Sequence, residues 1–338
     1  MEQTQNKNIL LSVENLRVYF PIYGGVFIKK VGEVKAVDGV SFSIKEGETL
    51  GLVGESGCGK STIGKSIVRL VEPTQGKILF RKKEGQTVDL VGLNRKEMRP
   101  YRADIQMIFQ DPYSSLNPRF TIGRIIEEPL EIHCPEMKKE ERHARVKMLL
   151  NKVGLNEEQA ARYPHEFSGG QRQRVGIARA LSTHPKLIIA DEPVSALDVS
   201  IQAQVINLLQ DLQKEFGLTI LFVAHNLAVV EHISSRIVVM YLGNIVEIGQ
   251  SQEIYHHPKH PYSRALLSAV PLPDPDLKDQ KKKMILKGEI PSPLAKPSGC
   301  AFRTRCPIAK PECAQSIPPL DDTGQGHLVA CPYWKEMV

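Results

Sequence analysis

The sequence predicts an α/β fold built around a phosphate-binding loop, and three stretches predict it. The apolar run Leu50-Gly51-Leu52-Val53 leads into Gly54-Glu55-Ser56-Gly57-Cys58-Gly59-Lys60-Ser61-Thr62, after which helical spacing continues to Val71. This is the strand-loop-helix setting in which glycines let backbone N–H groups curl toward a polyphosphate at a helix N-terminus. A second apolar run, Leu187-Ile188-Ile189-Ala190, ends in Asp191-Glu192-Pro193, the Walker B arrangement of a buried strand carrying a metal-binding acid. Between them, Phe167-Ser168-Gly169-Gly170-Gln171-Arg172-Gln173-Arg174 opens a further helical run.

The first strand is expected over residues 9–20, where apolar and polar residues alternate, and a second over 36–44, after a glycine-containing excursion at 23–32. Tyr19 and Phe20 close the first strand, where an aromatic ring could stack on an adenine or simply join the core. In the loop that follows Val53, Lys60 is placed to reach β- and γ-phosphates, and the Ser61 hydroxyl to meet Mg²⁺. From Arg95 to Arg162 the pattern turns helical and charged, a helical insertion. Gln110 ends the apolar stretch 105–109, where its side-chain carbonyl could lie beside a metal and an attacking water. His133 and Cys134 sit in a proline-marked loop, and a single such pair cannot close a metal site.

Ser168 and the glycines after it open a helix whose N-terminal amides and dipole offer a second anion-binding surface, or a plain serine cap. Asp191 would hold the metal, directly or through water, and Glu192 would polarise the attacking water as general base. Ser195-Ala196-Leu197-Asp198 follows on a turn. The apolar run 218–224 then predicts a strand ending at His225, from which an imidazole could hydrogen-bond a γ-phosphate.

Composition sets the limits. The chain has 338 residues, 41% of them hydrophobic, which suits one large domain plus an appendage. The net +6 permits contact with nucleic acid or anionic lipid, but the 44 basic and 38 acidic residues are largely interspersed, which describes a mixed, solvated surface. No run approaches the roughly 18 apolar residues of a membrane span, and Met1-Glu2-Gln3-Thr4-Gln5 lacks the features of a signal peptide. A cytoplasmic location is therefore expected.

In this order, the motifs resemble those of the ATP-binding cassette (ABC) ATPases, over about residues 9–250. Phe109-Gln110-Asp111-Pro112 with Asn117-Pro118-Arg119, Asp198-Val199-Ser200-Ile201-Gln202-Ala203-Gln204, and His260-Pro261-Tyr262-Ser263-Arg264-Ala265-Leu266-Leu267 resemble the oligopeptide and dipeptide importer branch. The resemblance implies a P-loop, RecA-like α/β core with an antiparallel β subdomain, a helical subdomain at about 95–180, and a C-terminal extension. It places the nucleotide-binding domain at 1–255 and the extension at 256–338. It implies ATP and Mg²⁺, with Ser61, Gln110 and Asp191 toward the metal and Phe20 rather than Tyr19 on the adenine. ATP would lie between the P-loop, Gly54 through Thr62, of one cassette and Ser168, Gly169, Gly170 and Gln171 of a second. Gln110 becomes the sensor facing the permease, Asp198 the contact across the dimer, and His225 the switch histidine. Phe167 stands where leucine is commoner. The implied partners are a second ABC ATPase in a heterodimer, two membrane permeases and an extracytoplasmic peptide-binding protein, with this chain peripheral on the cytoplasmic face of the membrane. Nickel and glycosides are alternative cargoes. A nucleic-acid-associated ABC ATPase is the other reading, but the chromosome-structure type separates P-loop and signature by a long coiled coil, and here 107 residues lie between Lys60 and Ser168.

The tail changes character. Lysines gather at 278, 281, 282, 283 and 287, and four of the six cysteines are Cys300, Cys306, Cys313 and Cys331. A region so poor in apolar periodicity is expected to be extended and unable to bury its own core, so a metal cross-link would supply folding free energy. A reducing cytoplasm argues against disulfides, and no Cys-x-x-Cys pair is present, which leaves zinc, an iron–sulfur cluster or free thiols. Gly288-Glu289-Ile290-Pro291-Ser292-Pro293, the segments at 299–307 and that at 327–332 resemble the peptide-importer tail, which implies a [4Fe–4S] cluster with Zn²⁺ as the alternative. His256, His257 and His260 are expected to be surface or packing residues.

Overall fold

The computed structural model describes residues 8–24, 28–82, 85–269, 284, 286 and 288–337. The tail lysines at 278, 281–283 and 287 and the start of the chain lie outside them. Two compact units form. Of the described residues, one takes those within Met1–Leu10, Ile44–Thr49 and Gly92–Val223, the other those within Leu11–Ser43, Leu50–Val91 and Ala224–Val338.

The strands in chain order are β1 (Ile9–Gly24), β2 (Lys29–Lys45), β3 (Thr49–Val53), β4 (Gln75–Arg81), β5 (Thr87–Asp89), β6 (Ile105–Ile108), β7 (Leu187–Asp191), β8 (Thr219–Ala224), β9 (Arg236–Tyr241), β10 (Asn244–Gln250), β11 (Asp321–Asp322) and β12 (Leu328–Val329). In the second unit, β2-β1-β4-β5 form one sheet, antiparallel at β1–β4 and β4–β5. Alternation in β1 puts Leu11, Val13, Leu16 and Val18 inside, and the register shifts between Glu14 and Arg17, where Asn15 takes φ 46°. The excursion expected at 23–32 is narrower than the sequence suggested: β1 continues to Gly24 and β2 already begins at Lys29. Ladder hydrogen bonds there override weak local strand patterning.

The same unit pairs β3 with β9 in parallel, β9 with β10 antiparallel, and β10 with β12, whose other neighbour is β11. In the first unit β6, β7 and β8 run parallel. Their residues are almost entirely buried, as continuous apolar runs in a parallel sheet must be. The helices Ile122–His133, Lys139–Lys152, Gly169–Leu181 and Val199–Phe216 also belong to this unit, and the last ends at Gly217 in the left-handed conformation. Strand β6 lies within the stretch read as helical insertion.

The tail departs most from expectation. Instead of standing extended, residues 288–337 bury Phe302, His327, Val329 and Ala330. They do so by adding β12 to β10, with Glu247 opposite Val329 and Ile248 opposite Leu328. A short segment needs no core of its own when an existing sheet edge offers one. Among the described residues, no helix is long and apolar enough to cross a membrane.

Candidate functional site

In the second unit the glycine-rich loop joins β3 to the helix Lys60–Ile67. Gly54, Gly57 and Gly59 take φ of 155°, 78° and 106°. A Cβ on Gly54 would stand 2.2 Å from the Met240 carbonyl oxygen, and one on Gly59 2.2 Å from that of Ala36, so both positions require glycine. Lys60 is 4% exposed, and its Nζ donates to the carbonyls of Gly54 at 2.8 Å and Glu55 at 3.0 Å. Neutral carbonyls leave its charge in place, so an anion drawn into the loop meets a buried cation. Ser56 is exposed, Ser61 and Thr62 half-buried, and burial raises the pKa of the Cys58 thiol. His225, after β8, is exposed.

Tyr19 and Phe20 part ways. The Tyr19 hydroxyl donates to Asp38 Oδ1 at 2.6 Å, and burial together with that carboxylate pushes its pKa up to about 12. Phe20 is 41% exposed.

In the first unit, β7 delivers Asp191 at 3% exposure and then Glu192 at φ 45°, a left-handed conformation rare outside glycine. The Glu192 N–H donates to Val223 O at 2.9 Å, and the Ser195 hydroxyl to Glu192 O at 3.1 Å, so the backbone is held on both sides. Gln110, at the end of β6, donates from Nε2 to Glu192 Oε2 at 2.9 Å. Strand pairing brings together two residues 82 positions apart that the sequence linked only by motif order.

Ser168 caps the helix Gly169–Leu181 in a reciprocal box: its hydroxyl accepts from Gln171 N at 3.3 Å, and Gln171 Oε1 accepts from Ser168 N at 3.0 Å. A Cβ on Gly170 would approach Ile201 Cγ2 to 2.6 Å. Asp198 is exposed and begins the helix Val199–Phe216 without a side-chain cap.

In the tail, Cys300, Cys306, Cys313 and Cys331 line one small cavity with Phe302, Ala330 and Tyr333. Burial raises the thiol pKa at Cys300, and to about 11 at Cys306 and Cys331, with the neighbouring cysteines adding to the rise. Backbone N–H groups of Phe302, Ile308 and Tyr333 point to Cys300, Cys306 and Cys331 and act in the opposite sense. Among the described residues, no three His, Cys, Asp or Glu side chains are grouped closely enough to hold a metal ion. His133 and Cys134 join no such group. His256 and His257 are exposed, while His260 is fully packed, its pKa depressed by burial to about 4.

Two features escaped sequence reasoning. Arg305 and Tyr262 hold Glu55 of the loop, and Tyr241 in turn meets Arg305, with no local signal, because tertiary packing alone joins them. Glu247, 0% exposed, accepts from His327 Nε2 at 2.7 Å and from the N–H groups of Lys259 and His260. A carboxylate inside the apolar run Ile245-Val246-Glu247-Ile248 was the readable sign of a buried partner.

Comparison with known proteins covers sequence from both units. The ABC transporter family profile matches residues 37–195, and that of the oligopeptide/dipeptide transporter C-terminal region matches 246–313. The oligopeptide transport ATP-binding protein OppF of Salmonella typhimurium is 57% identical, with 97% of each chain covered. AppF of Bacillus subtilis, also an oligopeptide transport ATP-binding protein, is 55% identical over 96% of this chain and 98% of its own. The solved dimeric ATP-binding cassette MJ0796, in a post-hydrolysis state with ADP and Pi, superposes with TM-score 0.63 at 31% identity, covering 72% of this chain and 99% of that one. With such identity over nearly its whole length, the chain belongs to the ABC transporter ATPases, among the oligopeptide transport ATP-binding proteins.

Proposed function

We propose that this chain hydrolyses ATP to drive uptake of oligopeptides or dipeptides across the cytoplasmic membrane. The observation that carries the reading is the Gln110–Glu192 hydrogen bond beside buried Asp191, in a chain 57% identical to an oligopeptide transport ATP-binding protein. Lys60 and the amides of the loop from Gly54 to Thr62 bind the phosphates, and Phe20, the more exposed ring, stacks on adenine. Glu192 accepts a proton from the attacking water, and Gln110 orients that carboxylate. His225 steadies the γ-phosphate. Ser61, Gln110 and Asp191 would hold Mg²⁺, which neutralises charge on the phosphate oxygens when bound.

Residues 1–255 form the nucleotide-binding domain in this reading, and 256–338 the extension. A second ATPase subunit supplies the facing half of each ATP site. Ser168, Gly169, Gly170 and Gln171 meet the partner's nucleotide, and Asp198 lies at the contact. Two permeases and an extracytoplasmic binding protein complete the importer, with this chain peripheral on the cytoplasmic side.

Glu192→Gln keeps the size and the Gln110 contact while removing the base. It should leave ATP binding intact and lower hydrolysis by at least ~10²-fold. Unchanged turnover would refute the assignment.

The tail cysteines are read as ligands of a [4Fe–4S] cluster. Support comes from the donor set, four thiols around one cavity, and from amide N–H groups directed at three of the sulfurs. The thiols stand too far apart to constitute a preformed site, so cluster binding would have to draw them in. Anaerobically purified protein should be brown, with about four irons per chain. Colourless protein with stoichiometric zinc would replace iron by zinc, and metal-free protein with four titratable tail thiols would remove both.

A further inference from the structure

Glu55, the second residue of the phosphate loop, is held at three points. Its N–H donates to the Tyr262 hydroxyl at 2.8 Å, and its carbonyl accepts from Lys60 Nζ at 3.0 Å. Its carboxylate is forked by Arg305 of the tail, from Nη1 at 2.9 and 3.2 Å and from Nη2 at 3.2 Å. Arg305 is itself seated firmly. Its side chain is 9% exposed, Nη1 also reaches the Tyr241 hydroxyl at 3.4 Å, and its N–H closes a turn onto Phe302 O at 2.9 Å. Phe302 packs edge-on against Tyr241 and Tyr262, with ring centroids 5.2 and 5.4 Å away. The tail thus packs an aromatic ring against Tyr262, whose hydroxyl meets the loop, and closes a bidentate clamp on Glu55, the same residue whose carbonyl supports Lys60.

We propose that Arg305 is a positioning residue for ATP: by gripping Glu55 it holds the phosphate loop in its binding shape, and so makes ATP affinity depend on a docked tail. The proposal rests on the ATPase reading above. A forked guanidinium–carboxylate pair fixes orientation as well as charge, and with little solvent around it the contact is costly to break. Charge alone would act differently. Arg305→Gln removes a cation near the phosphates, whereas Glu55→Gln removes an anion, so a purely electrostatic effect gives opposite signs. Positioning gives the same sign for both.

The test uses the full-length chain, with Mg²⁺ and ATPγS binding followed by calorimetry and amide hydrogen exchange of residues 54–59 measured without nucleotide. Both Arg305→Gln and Glu55→Gln should raise the Kd for ATPγS about tenfold, the scale of a lost charge-assisted contact, and both should speed exchange in the loop. Arg305→Lys, which keeps the charge and loses the fork, should lie between. Glu55→Gln leaves the tail untouched and carries the test if Arg305→Gln fails to fold. Unchanged or tighter binding in Glu55→Gln, or loop exchange equal to the parent in both variants, would overturn the proposal. A parent chain that binds no nucleotide, with loop exchange still faster in the variants, would instead overturn the ATPase reading and leave the clamp standing.

Discussion

Gly54 and Gly57 share a motif but not a constraint. A methyl group on Gly54 would collide with the Met240 carbonyl 2.2 Å away, whereas on Gly57 it would meet open space, at φ 78°. Gly54→Ala should therefore displace the loop and weaken ATP binding by more than tenfold, while Gly57→Ala should cost only the backbone strain of roughly 1–2 kcal/mol. Calorimetric titration of both variants with ATPγS checks the contrast, and equal losses would contradict it. At this scale the sequence was most informative. Loop glycines, Lys60, the Asp191-Glu192 pair and the Ser168 cap announce themselves because each is fixed by chemistry within a few neighbours. Arg305 could not be found that way, since nothing near it in sequence resembles a partner for Glu55.

The tail's attachment to β10 shows what an element can hide. Glu247 and His327 form a pair with side-chain exposures of 0% and 4%, at the point where β12 joins the sheet. Removing one partner leaves a buried carboxylate with only the amides of Lys259 and His260. His327→Ala should cost about 1–3 kcal/mol, more than the few tenths expected at an exposed position. Glu247→Gln must set its NH₂ against one of the N–H donors that the carboxylate accepts, whichever way the amide turns, and should also destabilise. Denaturant unfolding of the three proteins should place the midpoints of both variants below that of the parent, and near-equal midpoints would show that the pair does not anchor the tail. The strand patterns of β3, β7 and β8 were legible because burial on both faces demands unbroken apolar runs. Strand β12, only two residues long, has no period to read, and its existence depends on a pre-formed edge.

For the whole molecule, the proposed second ATPase subunit would supply the facing half of each ATP site. The purified chain should sediment mostly as a monomer with weak ATPase activity, and Glu192→Gln with ATP should shift it to a dimer because bound nucleotide is then not consumed. Sedimentation without ATP-dependent association would count against the composite site. The sequence by itself determined the phosphate loop, the acidic strand end, the helix that Ser168 caps and the family, because each depends on short-range backbone geometry and residue chemistry. Tertiary structure alone decided that Gln110 reaches Glu192, that four scattered cysteines face one cavity, and that the tail closes on Glu55 through Arg305. Those contacts join residues tens to hundreds of positions apart. Their partners are selected by strand register and packing, which no local pattern encodes.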